Sequence, residues 1–376
     1  MRIAIFGYAH PFGKGRIYGA ERIIWYAVQE LKNRGHTIWI FAVDGCVLPD
    51  SGLNYMRVPE PWNSERDIYL EALKWVEAKE GYRFDVIHSW QASGCIMNEA
   101  RLNWNYCLEP FFGFYGFREN IISYSYKLWD VMGRQSTVIH FGIPIEHYYK
   151  WNKDRDDYLC WIGRIDAGKA PDIAIEVAKR TGRRLILMGP AYHYPYFKDR
   201  IYPHIDNDRV IWLRGVDDEI KRDVLLKAGG FLSTNWDNYH EMFGIVNIEA
   251  LACGCPIIGW GCRQQRSAIN FWNDTVGEII MDGFGGYIVN YDDYSEESRE
   301  LSIERAVDCV RHLGDINPYD CRRIYEDNFT TEIMVDKFEI YYRIIQRLGL
   351  VLDRTNEVND AYTKLRDMIH RRRRAK

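Results

Sequence analysis

A chain of 376 residues that is 47% hydrophobic and 27% charged is long enough for two globular domains, which excludes a disordered or fibrous protein. A net charge of −4 excludes a body built to grip nucleic acid, and no stretch approaching 18 consecutive apolar residues is available to span a membrane. Nine cysteines in no even framework, and an apolar start too short for a signal segment, point to a reducing, cytoplasmic setting.

Residues 2–7 form an apolar strand ending at Gly7, followed by a glycine-containing loop. A helix over 20–35 carries Ile23, Ile24, Ala27, Val28 and Leu31 at helical spacing, and Gly35 stops it. The loop that opens it, 13–22, brings backbone at Gly19 close to a ligand. It matches neither a Walker loop nor a G-x-G-x-x-G dinucleotide fingerprint. Further strands are predicted at 37–43, 84–88 and 136–140, so the first part alternates strand and helix as parallel sheets do.

A polar stretch, 146–157, reads as a linker, and a second cycle begins at the strand 158–163. It continues through helix 171–181, strands 184–188 and 210–213, helix 217–228, strand 230–234, helix 244–253 and strand 256–259. Helices at 331–348 and about 354–374 close the chain. The expected fold is α/β: two doubly wound Rossmann-like domains facing across a cleft at the carboxyl ends of their strands. The expected domains are 1–150, 151–330 and a helical tail, 331–376.

The chemistry concentrates in the second cycle. Glu241 and Glu249 stand eight apart around Phe243 and Gly244, with Cys253, Cys255 and Pro256 following. The helix opened by Gly244 is apolar nearly all round and therefore buried, so its leading amides form a partly positive mouth suited to phosphate. Glu241, in the preceding loop, is placed to accept sugar hydroxyls. Glu249 is costly inside a buried helix unless it meets a partner such as a ribose diol. Arg164 and Lys169 leave the strand 158–163 on one loop, where two cations neutralise a departing diphosphate without a metal. Cys253, Cys255 and Cys262 lack the paired spacing and the histidine of a zinc site and read as buried thiols, so no metal is expected.

These segments, in this order, resemble the family-four retaining glycosyltransferases of the GT-B fold, known as glycosyl transferases group 1. The resemblance rests on Gly19 to Arg22, on Gly163-Arg164 with Gly168-Lys169, and on Glu241 with Glu249. The stretches 138–144 and 277–286 support it, and it covers roughly residues 1–345. It implies that Arg164 and Lys169 bind the donor diphosphate and that Glu241 contacts the sugar. It also implies Glu249 on the ribose, Gly19 beneath the sugar-phosphate, and terminal helices that cross back to the N-terminal domain, which takes the acceptor. Three positions depart from the family pattern: Leu108 stands for a histidine, Phe141 for an asparagine and Tyr18 for a glycine. His88, at a strand end, is the candidate to replace that histidine; a structural role is the other reading.

The expected activity is metal-independent transfer of a hexose from a nucleoside-diphosphate sugar to an acceptor hydroxyl, with retention. The sugar nucleotide is a co-substrate, and no cofactor is required. A degenerate sugar-nucleotide-binding protein, motivated by Leu108, is the alternative; a nucleotide-sugar epimerase is a third. The acceptor is a carbohydrate, a lipid-linked sugar or a protein, and nucleic acid is not a partner. Arg371 to Arg374 suit an anionic membrane surface or form a solvated, frayed end, and the aromatic stretch 111–117 suits an apolar acceptor surface or packed core.

Overall fold

The computed structural model describes residues 1–7, 19–46, 53–58, 68–90, 105–108, 120–131, 135–148, 150–236, 241, 243–262 and 276–374. The first loop with Tyr18, the stretch 111–117 and Met242 lie outside them, as do the side chains of Leu108, Cys262 and the four terminal arginines. The chain divides into two compact units: Met1–Gly142 with Thr331–Lys376, and Ile143–Thr330.

The first unit is built on β1 (Arg2–Phe6), β2 (Thr37–Ala42), β3 (Asn54–Arg57), β4 (Val86–Ser89) and β5 (Tyr106–Leu108). They form one parallel sheet in the order β3-β2-β1-β4-β5. Ile3, Ala4, Ile5 and Phe6 are buried on both faces, as a central parallel strand requires. The helix Gly19–Asn33 buries Ile23, Ile24, Val28 and Leu31, so its apolar stripe faces inward as the spacing predicts.

The terminal helices Thr331–Leu348 and Thr355–Arg374 belong to this unit, so the chain returns to it after the second unit is complete. Arg34, just past the first helix, fastens the return. Its guanidinium donates to Asp336 at 2.6 Å, Glu339 at 3.1 Å and the Glu332 carbonyl at 3.0 Å.

The strand expected over 136–140 is a correction. Only Thr137–Val138 (β7) is extended, and it pairs with Ile122–Ser123 (β6) in a separate ribbon rather than in the main sheet. The apolar run has another cause: Phe141 stacks on Tyr124 with ring centroids 4.3 Å apart, and both are buried.

The second unit holds β8 (Tyr158–Ile162), β9 (Arg184–Met188), β10 (Val210–Leu213), β11 (Gly230–Ser233), β12 (Ile257–Cys262), β13 (Met281–Asp282) and β14 (Gly285–Tyr291). Their order is β10-β9-β8-β11-β12-β14-β13, all parallel. The chain winds outward from β8 in one direction, returns, and winds outward from β11 in the other. The junction between β8 and β11 is therefore the switch point at which doubly wound sheets bind ligands. Trp161, Trp260, Ile173, Leu187, Leu232 and Ile303 are among the buried side chains of its core. No helix among the described residues is long and apolar enough to cross a membrane.

Candidate functional site

Both halves of the predicted diphosphate site come off the strands that flank the switch point of the second unit. The loop after β8 carries Arg164 and Lys169, and the segment after β11 carries Glu241. Asp166 turns the first loop, its Oδ1 accepting from the Lys169 amide at 2.9 Å. Ala170 then sits in the left-handed region at φ 45°, and the helix Pro171–Thr181 begins. The two loops are stapled together. Trp161 Nε1 donates to Thr234 Oγ1 at 2.8 Å, Thr234 Oγ1 donates to the Lys169 carbonyl at 2.7 Å, and the Trp236 amide donates to the Gly168 carbonyl at 2.8 Å.

Close backbone approach makes this possible. A methyl on Gly189, at the end of β9, would lie 1.9 Å from the Gly163 carbonyl oxygen. Only glycine lets the β8 and β9 ends pack this closely.

Within this frame the Lys169 ammonium pairs with Glu241 Oε2, and both side chains are mostly buried, at 14% exposure each. Arg164 is more open. Its Nε lies 3.5 Å from Asp166 Oδ2, and its guanidinium sits over the Tyr192 ring, 4.8 Å from the centroid.

The helix Ile245–Ala252 starts at the same place. Gly244 is its N-cap at φ 77°, with no side-chain cap on the leading amides, which gives the mouth its partial positive charge. Phe243 is buried against Phe329, with centroids 5.9 Å apart. Lys169, Glu241 and the helix start thus occupy one end of one sheet.

Glu249 is placed differently from its neighbour in the motif. It is fully buried, and its Oε1 accepts from Tyr148 at 2.9 Å and from the Lys221 ammonium at 2.7 Å. Lys221 also reaches Asp218 at 2.8 Å. The burial expected for this acid is present, and its partners are a lysine and a tyrosine of the protein. Sequence reasoning missed both. Lys221 lies on the separate helix Asp218–Lys227, and no local pattern ties it to Glu249.

Gly19 and His88 belong to the first unit. Gly19 begins the helix Gly19–Asn33. His88 is 1% exposed at the end of β4, stacked on Trp90 at 5.0 Å and edge-on to Phe338. Its Nδ1 shares a 2.7 Å hydrogen bond with the Tyr342 hydroxyl, and burial lowers its pKa to about 3, so the ring is neutral. These contacts pack the ring on Trp90, Phe338 and Tyr342.

The buried thiols Cys160, Cys253 and Cys321 are pushed well above the ordinary range by burial. No group of three or more His, Cys, Asp or Glu able to hold a metal exists among the described residues.

Two parallel Rossmann-like sheets, each with its own switch point, and terminal helices that return to the first unit define the GT-B class of glycosyltransferase folds. Residues 147–293, most of the second unit, match the family Glycosyl transferases group 1. The chain is 25% identical over 173 residues to a D-inositol 3-phosphate glycosyltransferase of Mycolicibacterium smegmatis. That match spans 38% of this chain and 39% of the relative, so it covers about two fifths of each.

Likeness to solved structures is broader and shows the fold. A glycosyltransferase from Rickettsia africae superposes with a TM-score of 0.70 at 15% identity, over 92% of this chain and 98% of that one. HepE of Anabaena, solved in complex with UDP and glucose, gives 0.63 at 15% identity, over 90% and 98%.

Proposed function

We propose that this protein is a retaining glycosyltransferase that moves a hexose from a nucleoside-diphosphate sugar to an acceptor hydroxyl, with the second unit as donor domain and the first as acceptor domain. One observation carries the reading: Lys169, Glu241 and the mouth of the helix Ile245–Ala252 converge at the switch point of the second unit. A pyrophosphate is the ligand whose charge and size suit two basic side chains and a row of helix amides.

Charge develops on the β-phosphate as the glycosidic bond breaks. Cations held there once the donor is bound stabilise it, so Arg164 and Lys169 do the work that a divalent ion would otherwise do. Glu241 orients the hexose by accepting from its hydroxyls, and releases Lys169 to the phosphate as the donor enters. Phe243 and Gly244 shape the mouth, Glu249 supports it from within the helix and is assigned the ribose, and the family resemblance assigns Gly19 to the sugar-phosphate. His88 is given no chemical step. The co-crystallised UDP of HepE makes UDP and UDP-glucose the first ligands to try.

Thermal shift with UDP, GDP, ADP and their glucose conjugates tests the reading, since a ligand that binds only the folded state raises the midpoint with its affinity. At least one pair is expected to stabilise the wild type and to lose its effect in Lys169→Ala. Transfer that persists in excess chelator supports metal independence. A donor set that never shifts the wild type overturns the proposal.

A further inference from the structure

Asn247 occupies the first turn of the helix Ile245–Ala252, three residues past its N-cap Gly244. It is 0% exposed, and neither Nδ2 nor Oδ1 has a hydrogen-bond partner among the described residues. A buried carboxamide carries two donors and an acceptor, and leaving them unmet is expensive, so such a group in a folded protein calls for a reason. The surroundings supply one. A methyl on Gly244 would lie 2.5 Å from Asn247 Nδ2 and 3.5 Å from Glu241 Cγ. The amide therefore packs against Gly244 at the helix mouth, in space that a side chain at 244 would enter, and Glu241 approaches the same glycine.

Resting on the donor reading above, we infer that Asn247 is a further donor-binding residue, and that its carboxamide hydrogen-bonds the hexose hydroxyls. The choice of sugar over phosphate follows from the group itself. A phosphate oxygen would satisfy the N–H donors and leave Oδ1 unmet, whereas neighbouring hydroxyls both accept and donate. A bound donor brings its hexose hydroxyls to this amide at the helix mouth. The unmet amide is then a cost carried by the free enzyme and relieved only when a hexose is bound.

That arrangement has a signature that a packing role lacks. Asn247→Leu, close in shape and free of polar atoms, is expected to melt no lower than wild type without ligand, and Asn247→Ala is the second variant should leucine not fit. With whichever nucleoside diphosphate shifts the wild type, both variants keep its affinity. For the matching glucose conjugate they lose about tenfold, the usual scale for a hydrogen bond made to a buried site.

Variants that melt several degrees lower while binding both ligands normally overturn the inference, because the amide is then structural. Equal losses for the diphosphate and its conjugate overturn the assignment to the sugar. A wild type shifted by none of UDP, GDP, ADP or their conjugates overturns the donor reading, and this inference with it.

Discussion

Lys169 and Glu241, separated by 72 positions, meet as an ion pair at the carboxyl ends of β8 and β11. Neither strand could bring them together alone; the reversal of strand order between β8 and β11 does. Replacing either residue removes a fixed contact from the site while the sheet beneath it is unchanged. Lys169→Ala and Glu241→Ala are each expected to lower kcat by roughly 10²–10³, the cost of one preorganised charge contact. Far-UV circular dichroism should not change. Turnover close to wild type in either variant would remove the pair from the chemistry.

Arg164 has a support that can be removed without touching the guanidinium. The Tyr192 ring lies beneath it, and Tyr192 is itself 66% exposed, so its loss leaves no cavity in the core. A cation–π contact at an exposed site contributes about 0.5–1 kcal/mol. Tyr192→Ala should therefore raise the KM for donor two- to fivefold with little change in melting temperature, and Tyr192→Phe should leave it unaltered. An identical KM in the alanine variant would show that the Tyr192 ring does not position Arg164 for the donor.

Much of this site was legible because its residues sit where the chain must leave a strand. Gly163, Arg164, Gly168 and Lys169 stand out from an apolar run, as do Glu241 and Gly244, and loops advertise function through such contrasts. The alternation of strand and helix likewise gave the doubly wound class. Pairing across the fold was hidden. Asn247 lies in a helix that reads as buried, but nothing local shows that its amide lacks a partner among the described residues, and Lys221 looks like a surface lysine on a helix rich in charge. Short edge strands were also hidden: β3 reads Asn-Tyr-Met-Arg with little of it buried, and so lacks the periodicity that marks a strand.

The Lys221–Glu249 pair carries the next expectation. Both side chains are nearly solvent-free, at 8% and 1% exposure, so cutting one leaves the other charge in the interior. Breaking such a pair costs about 3–5 kcal/mol, whereas replacing both partners by matched neutral groups is often close to neutral. Lys221→Met should lower the melting temperature of the second unit by roughly 10 °C, given about 2–4 °C per kcal/mol at this size. Adding Glu249→Gln should restore most of it. A single variant as stable as wild type would show that water reaches the pair.

His88 makes the stability of the first unit depend on pH in a direction that its burial dictates. Its pKa falls to about 3 in the fold from an ordinary 6.5, because the ring is enclosed by Trp90, Phe338 and Tyr342. Above pH 6.5 neither the folded nor the unfolded chain holds the proton, and the full stability is present. Below it the unfolded chain takes up a proton that the fold refuses. Stability is then lost at up to about 1.4 kcal/mol per pH unit until the folded pKa is reached. Urea unfolding followed from pH 7.5 to 5 should show this slope in the wild type. His88→Phe keeps a ring against Trp90 but removes the titrating group, so its slope over the same interval should be shallower. The same variant separates packing from chemistry at pH 7.5, where the wild-type ring is neutral in either case. Transfer within about twofold of wild type is expected of a side chain sealed among Trp90, Phe338 and Tyr342. A loss of a hundredfold or more, in a variant that still folds, would instead mean that the imidazole reaches the substrate.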